Sequence, residues 1–294
     1  MIPFKTLSFA AIALLAASCT VKENPLDRMA PVTVHVNDFT VTQEEFPGSK
    51  AGTVSVANYS EINAITLGFY SGSEEVEKIT HLKSDTSNYT TFGTFSLSLP
   101  MGSYTMVVVA YSSKEGSPFS YTSSTEAAYT GAHVYQTFAY TQAVNIHNTD
   151  AIDIGATLSR VVTMLTVVST DTKTANASNV RMTFSAGSKS FNPSTGLAIS
   201  DTGLSNTVGI SANVGNSSTS SSCLFLTSDE QTMNVTIETL DADGNTLFSK
   251  IVENVPFKRN RVTRLSGAMY TNTGTSGSFL VNTDWLTEGD TISF

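Results

Sequence analysis

The chain has 294 residues, long enough for two ordinary domains, and 40% of them are hydrophobic, enough to build packed cores. Only 14% are charged, while 39 Ser and 42 Thr supply a hydroxyl-rich surface, and the net charge of -9 repels a polyphosphate backbone and disfavours nucleic acid as a partner. So many β-branched residues suit pleated surfaces, and the expected fold class is all-β.

Residues 1–19 read as a secretory signal. Lys5 supplies a positive start, and Ala16, Ala17 and Ser18 supply the small residues before a cleavage point. The apolar run between them, 9–15, is shorter than the about 20 residues a bilayer span needs. Leu15-Ala16-Ala17-Ser18-Cys19 resembles the lipobox of bacterial lipoproteins, which implies that Cys19 becomes the acylated first residue of the mature chain and ties it to a membrane. Lys22-Glu23-Asn24 resembles the signals that send such lipoproteins to the outer surface in Bacteroidales-type bacteria. The only other cysteine is Cys223, which acylation of Cys19 leaves without a disulfide partner; at the head of an apolar run it suits a small buried hydrophobe.

Residues 32–39 alternate, with Val32, Val34 and Val36 on one face, the period of a half-buried strand. Residues 43–50 follow as an exposed linker marked by charge, Pro47 and Gly48. Residues 62–70, 94–99 and 104–111 read as strands, the last two joined by a tight turn at Pro100-Met101-Gly102, and 73–81 is the best short helical candidate. Residues 112–148 are expected to hold long loops or irregular strands, with a boundary near 149–153. Beyond it 156–169 reads as one long apolar strand, followed by strands at 180–184, 223–227, 234–240 and 262–269, with 201–222 as a polar, flexible stretch. Two successive antiparallel sandwiches fit this order better than an α/β fold.

Little in this pattern points to catalysis. Asp241-Ala242-Asp243-Gly244-Asn245 has the alternating carboxylates of a calcium loop, but that spacing would need Gly and Glu where Thr246 and Val252 stand, so a hairpin turn is expected. His35, His81, His133 and His147 are scattered without metal-ligand spacing, and neither metal nor cofactor is expected. Lys258, Arg259, Arg261 and Arg264 cluster without interleaved aromatic residues, which suits pairing with acids better than nucleic acid. The nucleophile-elbow and phosphate-loop motifs are missing, so the chain does not read as an enzyme.

Three segments together resemble the fimbrillin superfamily, the type V pilus proteins of Bacteroidales. They are Leu97-Ser-Leu-Pro-Met-Gly-Ser-Tyr104 with the apolar run after it, Leu158-Ser-Arg-Val-Val-Thr-Met-Leu165, and the stretch from Asn254 to Gly267 that contains Lys258-Arg-Asn-Arg261. The resemblance implies two tandem transthyretin-like antiparallel β-sandwiches: a signal peptide over 1–18, a lipid-bearing leader over 19–50, an N-terminal sandwich over 51–150 and a C-terminal one over 151–294. It implies a structural subunit of a cell-surface fimbria, exported as a lipoprotein of the outer membrane and assembled by strand exchange once a trypsin-like protease removes the leader with its first strand. Partners would be other fimbrial subunits, with host or bacterial surfaces as ligands. Cleavage after Lys50, before Ala51, would release the strand with Cys19. The best-known members are cut after Arg, but Arg28, the only Arg upstream, precedes the strand. Two subclasses therefore stand open, a pilin cut at Lys50 and an uncut anchor that stays lipidated. A surface glycan-binding lipoprotein, with the lone Trp285 as its platform, is the reading from a different class.

Overall fold

The structure, a computed structural model, describes residues 28–41, 52–271, 279–283 and 292–293. Its strands are, in the first half, β1 (Met29–Val41), β2 (Gly52–Ser55), β3 (Ala64–Ser71), β4 (Glu74–Leu82), β5 (Thr94–Pro100), β6 (Gly102–Tyr111), β7 (Phe119–Ser123), β8 (Glu126–Tyr129), β9 (Thr137–Ile146) and β10 (Ile152–Arg160). The second half adds β11 (Thr163–Ser169), β12 (Asn179–Phe184), β13 (Ser190–Asn192), β14 (Leu197–Ala198), β15 (Leu204–Gly209), β16 (Thr219–Leu224), β17 (Glu230–Leu240), β18 (Thr246–Lys258), β19 (Val262–Gly267), β20 (Leu280–Thr283) and β21 (Ile292–Ser293). The described residues hold one whole 3-10 turn, Val56–Asn58, with Arg28 also in 3-10 geometry ahead of β1, and the all-β expectation holds.

In the first half, β4-β3-β6-β9 faces β5-β1-β10 across a core that includes Val34, Phe69, Phe95, Met106 and Leu158. The two layers join at a corner, where Ser159 and Arg160 of β10 pair with Ala139 and Phe138 of β9. In the second half, β15-β12-β17-β18 accompanies β16-β11-β19-β20-β21. The two halves repeat one scheme. β1 is antiparallel to β5 and parallel to β10, as β11 is antiparallel to β16 and parallel to β19. A small sheet, β7-β8-β13-β14, draws two strands from each half. Residues of β6 are buried alternately on both faces: Met106, Val108 and Ala110 enter the first core, while Val107, Val109 and Tyr111 join the larger core shared with the second half. Burial on both sides is why the strand is a continuous apolar run instead of an alternating one.

Several sequence expectations need correction. The stretch 73–81 is not a helix: after a turn that includes Ser73 it belongs to edge strand β4, because the tertiary pairing with β3 outweighs weak helical periodicity and an edge tolerates charge. The run 156–169 is two strands, broken at Val161–Val162, which cross buried between the sheets. Residues 201–222 contain β15 and most of β16, and 112–148 contain β7, β8 and β9. The strand expected at 223–227 begins earlier, at Thr219. The turn at Pro100-Met101-Gly102 does link β5 to β6, yet they are not paired: β5 adds to β1, and β6 lies between β3 and β9. The Tyr104 hydroxyl donates to the Pro100 carbonyl at 2.8 Å, and its ring lies back over Gly102, where a Cβ would stand 3.1 Å from the phenolic oxygen. That close approach explains why this turn has glycine two residues before tyrosine.

At the corner between the halves, Arg160 is 1% exposed. Its Nη2 donates to the Tyr59 hydroxyl at 2.9 Å and to Gln136 Oε1 at 3.0 Å, and its Nη1 donates to Asn260 Oδ1 at 3.1 Å. The Tyr59 hydroxyl also donates to Gln136, and the guanidinium lies 5.0 Å from the Phe138 ring centroid. Asn260 has φ +59, a left-handed conformation that asparagine tolerates, and its N–H donates to the Val162 carbonyl at 2.9 Å. Two of the three fimbrillin-like segments thus meet at one side chain.

Asp171 holds the exit of the last strands. Its carboxylate accepts from the backbone N–H groups of Met269, Tyr270 and Thr271 at 2.8–2.9 Å and from the Thr271 hydroxyl at 2.9 Å. Partial burial pushes its pKa up, but these donors outweigh that and hold it below the usual carboxylate range.

Replacing Arg160 with Ala is expected to lower stability by about 3–5 kcal/mol, measured by urea unfolding, since it strands several buried polar groups at once. For Asp171 the folded pKa lies below the unfolded value of about 3.9, so its stabilisation is complete above that pH and is lost as pH falls through the folded value. Hydrogen exchange of the Met269 to Thr271 amides should accelerate in that acid window, and Asp171→Asn should remove the pH dependence.

Candidate functional site

β1 is the first described strand, yet it occupies the middle of its layer. Its residues 32–40 pair in parallel with 152–159 of β10. Along the other edge, residues 29–35 pair antiparallel with β5 and residues 38–41 with β2. Ala30, Val32, Val34, Val36 and Phe39 are each 5% exposed or less. Val36 and Phe39 are three residues apart, a spacing that would put them on opposite faces of an unbroken strand. A bulge between Val36 and Asp38, at Asn37, turns both inward.

The groove that holds β1 is built by distant segments. Phe39 stacks on Phe138 of β9 at a 4.4 Å centroid distance and meets Tyr59 edge-on at 5.4 Å, so the strand ends against the aromatic wall of the Arg160 cluster. Near its middle, the Val36 N–H donates to the Gly93 carbonyl at 2.9 Å. Gly93 has φ +88, and a Cβ there would lie 3.1 Å from the Val36 oxygen, so glycine permits both the loop's conformation and its approach. On the solvent side His35 lies 3.3 Å from the Thr94 hydroxyl and 3.4 Å from an Asp153 oxygen, a half-exposed contact of small energetic weight.

Burying one Val or Phe side chain contributes about 1.5–3 kcal/mol, so the four large side chains of β1 contribute about 6–12 kcal/mol. This is a gross burial term, offset by the about 1–2 kcal/mol per residue that ordering the strand's backbone costs. An open groove would expose that apolar surface to water. By contrast β11, in the matching position of the second half, is covalently bounded on both sides by strands of the fold.

Cys19, Lys50 and Ala51 lie outside the described residues, as do the linker 43–50 and Trp285. The hairpin expected at 241–245 is present: Asp241 accepts from the backbone of Asp243 and Asn245, and the turn joins β17 to β18. Lys258 pairs with Glu230, and Arg259 with Asp229 at 2.7 Å. Cys223 is buried, and burial pushes its thiol up to about 12, with Arg160 pulling weakly the other way. His81 is sandwiched between the Tyr89 and Phe95 rings at 4.1 and 4.0 Å; burial lowers its pKa, against a smaller opposing pull from Asp85. Among the described residues no group of three or more His, Cys, Asp or Glu is placed to hold a metal. The Arg160 cluster has no local sequence signature, because Gln136, Asn260 and Tyr59 lie 24, 100 and 101 residues from Arg160; the one visible signal is an arginine inside an apolar run.

The sequence model of the Family of unknown function (DUF6562) matches residues 42–291. No curated protein matches by sequence. Among solved structures, the chain is similar to a candidate adhesin from Bacteroides ovatus, with TM-score 0.54 and 11% identity over 90% of this chain and 95% of the other. It is similar to the fimbrial anchor protein Mfa2 from Porphyromonas gingivalis, with TM-score 0.53 and 10% identity over 90% and 99%. A candidate polysaccharide-binding protein from Bacteroides thetaiotaomicron gives TM-score 0.52 and 8% identity over 86% and 96%. At these identities the likeness establishes the fold, and the fimbrillin resemblance is borne out at that level.

Phe39→Ala is expected to lower stability by about 3–5 kcal/mol in urea unfolding, because it opens a cavity beside Tyr59 and Phe138. His35→Ala, on the opposite face of the same strand, should be nearly neutral in that assay.

Proposed function

This chain belongs to the Family of unknown function (DUF6562), and we propose that it is a structural subunit of a cell-surface fimbria, exported as a lipoprotein and joined to its neighbours by strand exchange at the β1 groove. The observation that carries this reading is the position of β1, first in the described chain and central in its layer. A strand so placed can be withdrawn after a single cut without unthreading the fold. A strand from another subunit can then supply the same ladder hydrogen bonds and alternate apolar side chains, which is β-augmentation. The cut after Lys50 leaves one residue, Ala51, ahead of β2, so it would spare that strand and everything after it.

The energetics support exchange over spontaneous release. Because β1 buries four large apolar side chains and is held by ladders on both edges, cutting the linker alone would leave it bound, and a competing strand would be needed to drive it out. The matching strand orders of the two halves support the reading of two tandem transthyretin-like sandwiches. The pairing of β10 with β1 and β9 supports a divide after Arg160, later in the chain than residue 150. Cys19 would hold the precursor on the outer membrane until the cut.

Trypsin treatment of the purified full chain should produce a new N-terminus at Ala51 by mass spectrometry and ladders that resist SDS, and Lys50→Gln should abolish both. A chain cut after Lys50 that stays monomeric would sink the strand-exchange reading. Acylated Cys19 on mature surface protein, with no Ala51 terminus, would identify an uncut anchor.

A further inference from the structure

One side of the first sandwich is closed by side chains and not by backbone pairing. Strand β4 ends the layer β4-β3-β6-β9, and β5 ends the facing layer β5-β1-β10. Between these two edges His81 of β4 stacks on Phe95 of β5, with centroids 4.0 Å apart and planes 19° apart. Tyr89, from the loop 83–93, stacks on the other face of the imidazole at 4.1 Å and 16°. His81 is 8% exposed, and its Nδ1 is buried with no hydrogen-bond partner among the described residues. Tyr89 is only half-buried, and its hydroxyl donates back to the Leu82 carbonyl, so its ring is a lid folded over the histidine. The loop that carries this lid ends at β1: four residues after Tyr89 the Gly93 carbonyl accepts the Val36 N–H at 2.9 Å, and Thr94 then opens the β5 ladder opposite His35.

We propose that His81 is an acid-sensitive clasp: neutral, it holds loop 83–93 closed beside β1, and protonated, it lifts Tyr89 and frees the β1 edge at Val36. A neutral imidazole can keep its proton on Nε2, whereas an imidazolium carries N–H on both nitrogens, and the one at Nδ1 would be buried without an acceptor. The ring faces of Tyr89 and Phe95 attract a cation but offer that N–H nothing to donate to. Lifting the lid lets water reach it. Burial disfavours the charged form and outweighs the pull of Asp85 on the loop, so the His81 pKa lies below its ordinary 6.5. Of the elements packed against the ring, β5 and the adjoining part of β3, Ala64 to Leu67, carry no ionisable side chain. The loop carries Asp85, Tyr89 and Lys83, whose Nζ is drawn off to the Tyr59 carbonyl at 3.1 Å; Glu77 and Lys78 of β4 are exposed, and His35 of β1 lies on the solvent side. Because the closed value lies below the open one, the clasp is at full strength above about pH 6.5 and weakens as pH falls through the closed value. On the strand-exchange reading a freed edge at Val36 gives an incoming strand its starting point, and that use rests on the reading; the opening itself occurs whether or not strands exchange.

Amide hydrogen exchange of Val36 in the purified full chain, corrected for the intrinsic rate at each pH, reads the opening directly. Protection is expected to fall about fivefold or more between about pH 7.5 and pH 5, a range above the acid window of Asp171, while amides in the β6–β9 ladder stay within about twofold. An NMR titration of the His81 ring should show a midpoint below 6.5. His81→Phe keeps a ring in the sandwich that cannot charge, and should hold Val36 protection flat over this range, whereas His35→Ala should leave the loss in place. Should His81→Phe fail to fold by circular dichroism, Tyr89→Ala decides: with the lid gone, Val36 is expected to be poorly protected at both pH values and the His81 midpoint to rise toward 6.5. The assignment is overturned if Val36 protection in the parent is the same at both pH values, if His81→Phe loses it as the parent does, if His35→Ala abolishes the loss, or if Tyr89→Ala behaves as the parent.

Discussion

The buried guanidinium of Arg160 is the constraint around which the two halves are arranged. A charge at that depth needs its donors satisfied, and the acceptors come from the 3-10 turn region through Tyr59, from the approach to β9 through Gln136, and from the β18–β19 turn through Asn260. Burial lowers the pKa of the side chain, with the Tyr59 hydroxyl opposing, but an arginine remains protonated, so the demand for acceptors is permanent. Arg160 is also where β10 ends and the chain crosses into the second sandwich. The corner of the first sheet, the crossing and the left-handed turn at Asn260 are thereby tied to one set of hydrogen bonds. The aromatic wall against this set, Tyr59 and Phe138, is the surface on which Phe39 of β1 lands.

That contact connects the stability of the corner to the strand that would be exchanged. β1 is held by two ladders, by inward valines and by Phe39, all of which an emptied groove would lose. An empty groove is therefore a high-energy state, and a replacement strand bound there would be held strongly for the same reason. The replacement would have to reproduce the phase change at Asn37, because alternate valines alone would point the residue equivalent to Phe39 outward. On the proposed reading, strand exchange would be confined to the first half. β11 has the same neighbours in kind, yet it continues from Arg160 and Val161 and leads on to β12, so a cut beside it would leave the other end attached.

The junction between the halves also shapes a cavity of about 300 Å³ beside Asn206. Residues 133–136 run from β8 toward β9 over the open edge of the second sandwich, and Gln136 from this same segment reaches Arg160. The segment that lines the cavity is thus fixed by the network that sets the corner.

Where the burial pattern is written locally, the sequence alone was decisive: the alternating residues of 32–36, β12 and β17, each with one buried face, and the continuous apolar run of β6, buried on both faces, identified strands, and low charge with many β-branched residues identified the class. The tight turn before Tyr104 and the hairpin at Asp241 were legible because they depend on residues within a few positions of each other. The period-2 pattern tells which face is buried but carries no record of the partner, so it could not place β5 beside β1, nor separate β10 from β11 inside an apolar run whose crossing is itself buried. Strand β4 looked helical because an edge strand has little buried face to impose alternation. Arg160, Gln136 and Asn260, and likewise Asn206 with Ser222, come together only through contacts between distant segments, and those were decided by the tertiary structure, because the burial that gives a polar group its energetic weight exists only once both sandwiches have closed around it.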